Sequence, residues 1–581
     1  MSLLLVARAL DGQVPEAVAR SAAACVQAQG FSGPERFDWA GGAAWLYPSP
    51  GSTGGSGIWV RQGRRFAAAS GALHWNGRDG RLTLERLLAL DLPPEHLPLD
   101  EISGSFALLL GREDGVWLLG DALGLMKLHE AAGSGVISSS MLACMAALPE
   151  RRVDRLRAQE YVLLGANHGL GSPIQGLRLL DPCLAHGLSG QAAVPVHQPQ
   201  RLLPASSSSL AGPAQAVEAV SAAITDEFKA LSRVWSADIG MALSGGFDSR
   251  LLLAALDGVG VQPALFVYGR GTHDDVQVAR AVAQHLGMPL EHVDKDAAER
   301  ALTALDATRL RDNLHFFDGL PVDGIFDRGT DRQTRLAQVA NGRLNLNGGG
   351  GEILRNFFYL PDRAYSARDL YAAFYSGWLD EVFATAEERD AFVHHVADEI
   401  LRSLGRPAGN DAERRRPLAR TEVELVYTLF RLRWWMGRNN SLSSRQGAFM
   451  TPLVTPALVR LAAGIPIAWK DYGSLEAAVI HRLSPRVAAV PSGYGFAFDQ
   501  APHWRHRLQV ASTMYRPVAL RHHSLRVQKW LGRVRAPQAP AEWTAALGDE
   551  PSRQWLNPVA LTSQPQLNRL MTLQALLRHE F

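Results

Sequence analysis

Three cysteines in 581 residues (Cys25, Cys144 and Cys183) are too few and too far apart for a disulfide framework or a metal-ligand spacing, which suits a reducing compartment. Long apolar runs are also missing. No stretch of about 18 apolar residues occurs, so no membrane span is expected. The opening MSLLLVARALDGQ has no basic residues ahead of an apolar run too short for a signal h-region. A cytoplasmic protein is the expectation. Charge of one sign is not in excess either: 59 Lys and Arg against 57 Asp and Glu leave +2, so no global field favours nucleic acid or a membrane surface. No internal repeat appears at solenoid periods. What is left has the apolar and charged fractions of a globular protein, and a length that predicts two or more domains.

Two textures divide the chain. Residues 1 to about 200 read as short, turn-punctuated strands, with 103–121 (SGSFALLLGREDGVWLLGD) as a hairpin around a polar turn and 47–57 (YPSPGSTGGSG) as a surface loop. The stretch 204–213 (PASSSSLAGP) has no periodic apolar face and reads as a linker, so the domain boundary is placed there: 1–203 before it, 214–581 after it. Beyond the linker, helical and buried-strand patterns alternate. A helix is expected over 214–234, a strand over 237–244, a helix over 250–260, a strand over 262–269 and a helix over 274–288. This alternation predicts a doubly wound, mostly parallel α/β sheet. From about 365 the chain reads as mainly helical.

The most informative stretch is Ser244-Gly245-Gly246-Phe247-Asp248-Ser249, between the first of these strands and its helix. In an open α/β sheet, ligands bind outside the carboxyl ends of the strands. Glycines there allow close backbone approach to an anion, and successive N–H groups at a helix start form an anion nest. No lysine follows, which disfavours a Walker loop. Asp248 would repel phosphates unless a Mg²⁺ ion lay between them. The bland alternative is a glycine-rich turn with Asp and Ser as caps. A chance match to S-G-G-x-D-S, at roughly 7% per fixed position, is on the order of one in a thousand for a chain this long.

SGGFDS resembles the pyrophosphate-binding loop of the ATP pyrophosphatases, which cleave ATP to AMP and pyrophosphate. The wider sequence resembles their asparagine synthetase-like branch. GSFALLLGREDGVWLLGDALGLMKLHEA carries Gly104, Phe106, Ala107, Asp121 and Gly124 of the G-x-F-A…D-x-x-G pattern. LNLNGGGGEILRN (344–356) is similar to the second Gly-rich loop, and PLVTPALVRLAAGIP (452–466) to the P-F-L-D-x-x-L-V segment. The resemblance implies an Ntn-hydrolase-like, glutaminase-like sandwich followed by an adenine nucleotide alpha hydrolase-like doubly wound domain with a helical C-terminal part. It implies ATP and Mg²⁺ as cofactors. Ser244, Gly245, Gly246, Asp248 and Ser249 would hold pyrophosphate, and Leu243, Val267, Asn347 and Gly348 fall where ATP-pocket contacts are expected. For Leu243 and Val267, an ordinary buried strand is the alternative reading.

The departures matter as much. The glutamine-using members have a cysteine after the initiator methionine; Ser2 stands here, and QGFSGPERFDW and SGALHWNGRDG replace the glutamine-site motifs. A hydroxyl at a processed N-terminus could act through its own amine, but a retained scaffold is the expectation. In the second loop S-G-x-G-x-D-E is Asn347-Gly348-Gly349-Gly350-Gly351-Glu352-Ile353, so Glu352 falls at the metal carboxylate. Gly349 replaces the glutamate that serves ammonia, so the amine is expected to come from elsewhere. The family's transition-state lysine falls near Lys470, two residues from the aligned Tyr472; a solvated loop residue is the alternative for Lys470.

Among relatives without that cysteine, the chain is most similar to the lasso peptide cyclases, or macrolactam synthetases. The implied reaction adenylates an Asp or Glu side chain of a ribosomal precursor peptide, whose N-terminal amine then closes the ring. Companions would be a leader-peptide recognition protein and a leader peptidase. An asparagine synthetase-like or β-lactam synthetase-like ligase of a small carboxylate is the alternative, and a non-catalytic scaffold is a third. Three smaller signals remain. His315, Asp318 and Asp323 could include a catalytic base, although caps and turns suit the aspartates better. The stretch 432–440 (LRWWMGRNN) is read as core packing plus a helix end, with Arg433 and Arg438 facing a substrate as the lesser alternative. The acid-free stretch 503–535 is read as a basic helical surface; an acidic peptide or a partner protein suits it at least as well as RNA, and nucleic acid is not the expected partner.

Overall fold

The computed structural model describes residues 2–10, 16–50, 58–204, 210–236 and 238–579. The tip of the 47–57 loop and the serine run of the expected linker (51–57 and 205–209) lie outside the described residues.

Alternation along the first strand sets the layers of the N-terminal half. In Ser2–Arg8, Leu4 and Val6 point to one face and Leu3 and Leu5 to the other. The strand pairs antiparallel with Gly42–Pro48 and Val136–Ser138 inside a six-stranded sheet. A second six-stranded antiparallel sheet is built on Arg65–Trp75, Ile102–Arg112 and Gly115–Gly120. Leu4, Val6, Leu46 and Ile137 of the first sheet pack with Ala68, Leu109 and Leu118 of the second, which makes a sandwich core. The expected hairpin is present, with Arg112 opposite Gly115. This half also contains helices that its strand-like texture hides, among them Glu16–Ala28 and Arg155–Leu164.

The last antiparallel strand ends at Pro195, and a 23-residue amphipathic helix, Pro213–Trp235, opens the second half. Five parallel strands follow in the spatial order Leu290–Val293, Ala264–Tyr268, Ile239–Ala242, Leu344–Leu346, Phe449–Met450. The first strand in sequence is therefore central, and the winding reverses between it and Leu344–Leu346. That reversal is the switch point at which open α/β sheets bind ligands. The expected alternation is observed: helices Phe247–Gly258 and Asp274–Leu286 follow the first two strands. Beyond residue 365 the described chain is helical apart from Phe449–Met450 and isolated bridges.

The halves share one apolar core that runs from Leu3 and Leu5 through Ala255 to Leu576. A polar clasp reinforces it. Asp318 is fully buried and accepts from Ser140 Oγ (2.6 Å) and from the backbone N–H groups of Met141 (2.8 Å) and Leu142 (3.2 Å), all in the N-terminal half. Arg445 Nη1 lies 3.1 Å from the same carboxylate, and Arg438 Nη2 donates to the Asp318 carbonyl at 2.6 Å. His315 sits at this seam too, 3.2 Å from the Ala28 carbonyl. Arg433 donates to the Leu123 carbonyl at 2.8 Å. Asp318, Arg433 and Arg438 thus join the halves, in keeping with the capping role expected for the aspartate and the core packing expected for the arginines. Among the described residues no helix is long and apolar enough to cross a membrane.

Candidate active site

At the switch point, Ser244–Ser249 leaves the central strand and turns into the helix Phe247–Gly258, with Gly246 as its N-cap. Ser249 Oγ accepts from Ser244 N–H (3.1 Å) and lies 3.0 Å from Ser244 Oγ, so the two serines pin the turn across five residues. Gly245 N–H donates to Asp275 Oδ1 at 2.8 Å. An anion therefore already occupies the loop, supplied by the first turn of the next helix. Beside it a cavity of about 470 Å³ is lined by Gly245, Gly246, His273, Asp275, Gly493 and Tyr494, a volume within the range of small-molecule sites.

The second Gly-rich loop is pressed against the first. A Cβ on Gly348 would lie 2.9 Å from the Asp248 carbonyl, and one on Gly351 would lie 2.5 Å from Asp248 Oδ1 and 2.9 Å from Glu476 Oε1. The glycine run is thus the space that lets three carboxylates gather. Glu352 is aimed by Gly350 N–H (2.8 Å) and by the Tyr427 hydroxyl (2.6 Å). Tyr427 opens a π-helical stretch, Tyr427–Met436; such wide turns recur at functional sites. Glu476 comes from the helix Ser474–Leu483, which packs against Pro213–Trp235 and Phe247–Gly258. Arg355 is the shared partner: Nη2 donates to both Asp248 oxygens (2.7 and 2.8 Å), Nε lies 2.7 Å from Glu476 Oε2, and Glu352 Oε1 is 3.9 Å away.

One guanidinium does not balance three carboxylates. Burial, with Glu352 nearby, pushes Asp248 up to about 6 despite Arg355. Burial, with Asp248 and Glu352 beside it, drives Glu476 well above the usual carboxylate range. The Glu476 side chain is 0% exposed, and neither of its oxygens has a hydrogen bond of good geometry. This surplus of acid oxygens fits a divalent cation, which takes one or two carboxylates together with phosphate oxygens; Asp248 and Glu352 would hold it. Among the described residues, no group of three or more His, Cys, Asp or Glu is itself arranged to hold a metal ion.

A second cavity, of about 250 Å³, opens on the acid side, lined by Asp248, Glu352, Arg355, Tyr472, Tyr494 and His506 among others. Tyr494 lines both cavities and packs on Phe247 with ring centroids 4.7 Å apart. One wall of the acid-side cavity is the helix Trp504–Met514, through His506 and Val510.

The expected residues distribute as follows. Ser244, Gly245, Gly246, Asp248, Ser249, Asn347, Gly348 and Glu352 converge at the ends of two adjacent strands. Leu243 and Val267 have side chains 1% and 2% exposed, so what those positions can offer a ligand is backbone. Lys470 lines neither cavity. It is fully buried, with Nζ donating to Glu424 Oε2 at 2.9 Å. Tyr472, at the aligned position, is the residue that reaches the cavity. His315, Asp318 and Asp323 line neither cavity. Ser2 is 1% exposed and its hydroxyl donates to the Ala69 carbonyl, a strand contact. Sequence reasoning missed Arg355, Tyr427, Glu476 and Tyr494. Only Arg355 had a local signal, a cation three residues after Glu352.

No curated protein matches the chain. Residues 231–437, which contain both loops, match the family model described as asparagine synthase. This part of the chain is similar to the asparagine synthase domain, the type found in ATP-dependent, amide-forming ligases.

Proposed function

We propose that the protein is an ATP-dependent carbon–nitrogen ligase that adenylates an Asp or Glu side chain of a ribosomal precursor peptide and closes a macrolactam with the peptide's N-terminal amine. The observation that carries the peptide substrate is the setting of the acid-side cavity. Its wall helix, Trp504–Met514, opens the acid-free stretch 503–535, in which Trp504 (62%), Leu508 (63%) and Trp530 (83%) stand exposed in a sequence rich in arginine. Exposed apolar area of this kind marks a binding surface, and a small acid would not need it. The cavity itself, about 250 Å³, suits one side chain or a small carboxylate. That volume favours, as the second reading, a synthetase of asparagine or β-lactam type.

The chain's own groups divide the work. Once phosphate displaces Asp275 from Gly245 N–H and Ser244 Oγ from Gly246 N–H, these two amides would hold the β- and γ-phosphates at the helix start. Mg²⁺, held by Asp248 and Glu352, would neutralise the departing pyrophosphate. The substrate carboxylate oxygen bonds to the α-phosphorus as the bond to pyrophosphate breaks. The amine then bonds to the acyl carbon, AMP leaves, and the amine proton passes to solvent or a base. Holding the amine and the acyl group together supplies the remaining acceleration. Residues 1–203 act as a glutamine amidotransferase-like scaffold, joined through 204–213 to a synthetase domain over 214–581. A leader-binding protein and a leader peptidase prepare the substrate in the cytoplasm.

The test is pyrophosphate release with ATP and Mg²⁺, offering peptides with a free N-terminus and an internal Asp or Glu, against aspartate with glutamine or ammonia. Peptide-dependent release with a product lighter by one water is the expected result. Release with the small acid alone would move the assignment to the second reading.

A further inference from the structure

Arg355 occupies an unusual place. It is the one Arg or Lys among the described residues that line the acid-side cavity, and its Nη2 lies on both oxygens of Asp248, the carboxylate best placed to take a metal ion. Because Nη2 already lies on both Asp248 oxygens, a divalent cation arriving at that carboxylate competes with the guanidinium for them. Arg355 also has a second anchor that the metal would leave alone: its Nε lies 2.7 Å from the buried Glu476. The ring of Phe247 lies under the guanidinium, 5.4 Å from its centre, and gives the cation an apolar surface to swing across.

We propose that Arg355 is the site's resident cation: it pairs with Asp248 and faces Glu352 in the nucleotide-free protein, yields both when a divalent cation arrives with ATP, and then, still beside Glu476, receives the substrate carboxylate. The last step follows from charge. A carboxylate entering a cavity walled by Asp248 and Glu352 is repelled unless a cation meets it, and Lys470 is engaged elsewhere by Glu424. Arginine suits this role because its planar fork pairs with carboxylates in two-pronged geometry. The proposal rests on the ATP-ligase reading and adds an order of events: the metal enters with the nucleotide and not before it.

The probe is Mn²⁺, titrated by electron paramagnetic resonance into wild type, Arg355→Met and Arg355→Lys, with and without ATP. Wild type is expected to take up Mn²⁺ only with ATP. Arg355→Met is expected to bind one Mn²⁺ without nucleotide, at least about tenfold more tightly than wild type, and adding Asp248→Asn should remove that site. Arg355→Lys keeps a charge without the fork and should fall between the two, which preserves the test if the methionine variant does not fold. Unchanged nucleotide-free affinity in the folded variants would overturn the resident-cation role. In carboxylate-dependent ATP–pyrophosphate exchange, Arg355→Met should need about tenfold more carboxylate; an unchanged requirement would overturn the receptor role. If wild type binds no Mn²⁺ even with ATP, the ligase reading itself fails, and that result is read on wild type alone.

Discussion

Two aspartates in this molecule have opposite electrostatic settings. Asp318, at the seam between the halves, is fully buried and surrounded by donors: a hydroxyl, two backbone amides and the guanidinium of Arg445. Burial alone would raise its pKa, yet Arg445 and Arg438 hold it below the ordinary value. Asp248, at the switch point, shares a single guanidinium with Glu476 and Glu352, and it is pushed up to about 6. The saturated aspartate holds structure together and has nothing left to bind with. The under-neutralised one has a charge deficit that a ligand can fill. Perturbation toward the charged form and away from it therefore separates clasp from site.

The sharpest way to break this contrast is to remove each side chain in turn. Asp318→Ala leaves Arg445 and Arg438 buried without their anion, and should cost about 3–5 kcal/mol of stability, read as a lower urea midpoint. A change under about 1 kcal/mol would mean that the clasp is ornamental. Asp248→Asn should instead lower pyrophosphate release by about 10²–10³ with the thermal midpoint level or higher, because one surplus acid is gone. Parallel loss of fold and activity would erase the distinction.

Gly351→Ala is next in size. Its Cβ would meet Asp248 Oδ1 at 2.5 Å and Glu476 Oε1 at 2.9 Å, so the acids must spread. About 1–3 kcal/mol of destabilisation is expected, together with weaker Mn²⁺·ATP binding by titration calorimetry. If the variant binds Mn²⁺·ATP normally, carboxylate spacing is not what the glycine run protects.

Acidity sharpens the comparison without changing the fold. The folded-state pKa of Asp248 is raised, so its contribution to stability is complete below about 4 and is lost as pH rises through about 6. That of Asp318 is lowered, so its contribution is present above the ordinary carboxylate value and is lost as pH falls through the folded value. Asp248→Asn should therefore melt close to wild type at pH 4 and increasingly above it toward pH 7. The difference between wild type and Asp318→Asn should shrink from pH 5 to 3. Trends of the same sign would contradict the assignment. Smallest of all, Ser2→Ala should cost about 0.5–1.5 kcal/mol, the value of one buried hydrogen bond, and leave pyrophosphate release unchanged.

How much of this was legible beforehand depended on where the information lies along the chain. The doubly wound sheet was readable because each strand and its helix carry their own periodicity, and SGGFDS because its residues are adjacent. Glu352 was readable through its glycines. Glu476 was not: it is an ordinary-looking acid in SLEAAVIHRL, 228 positions after Asp248, and becomes part of the site only because its helix packs on Phe247–Gly258. Lys470 falls two residues from the position of the family's lysine, yet the fold turns it onto Glu424. Asp318 was legible as a cap, although not as one that crosses to the other half. Local chemistry is written locally; convergence is a property of packing.

The most direct test of the central claim, that the switch-point site activates a carboxylate by adenylation, is to follow oxygen. A peptide labelled with ¹⁸O in its acceptor carboxylate is turned over with ATP and Mg²⁺, and the nucleotide product is weighed by mass spectrometry. The account predicts AMP carrying one ¹⁸O atom and a peptide lighter by one water. Label in inorganic phosphate with ADP as the nucleotide product, or AMP without label, would contradict it.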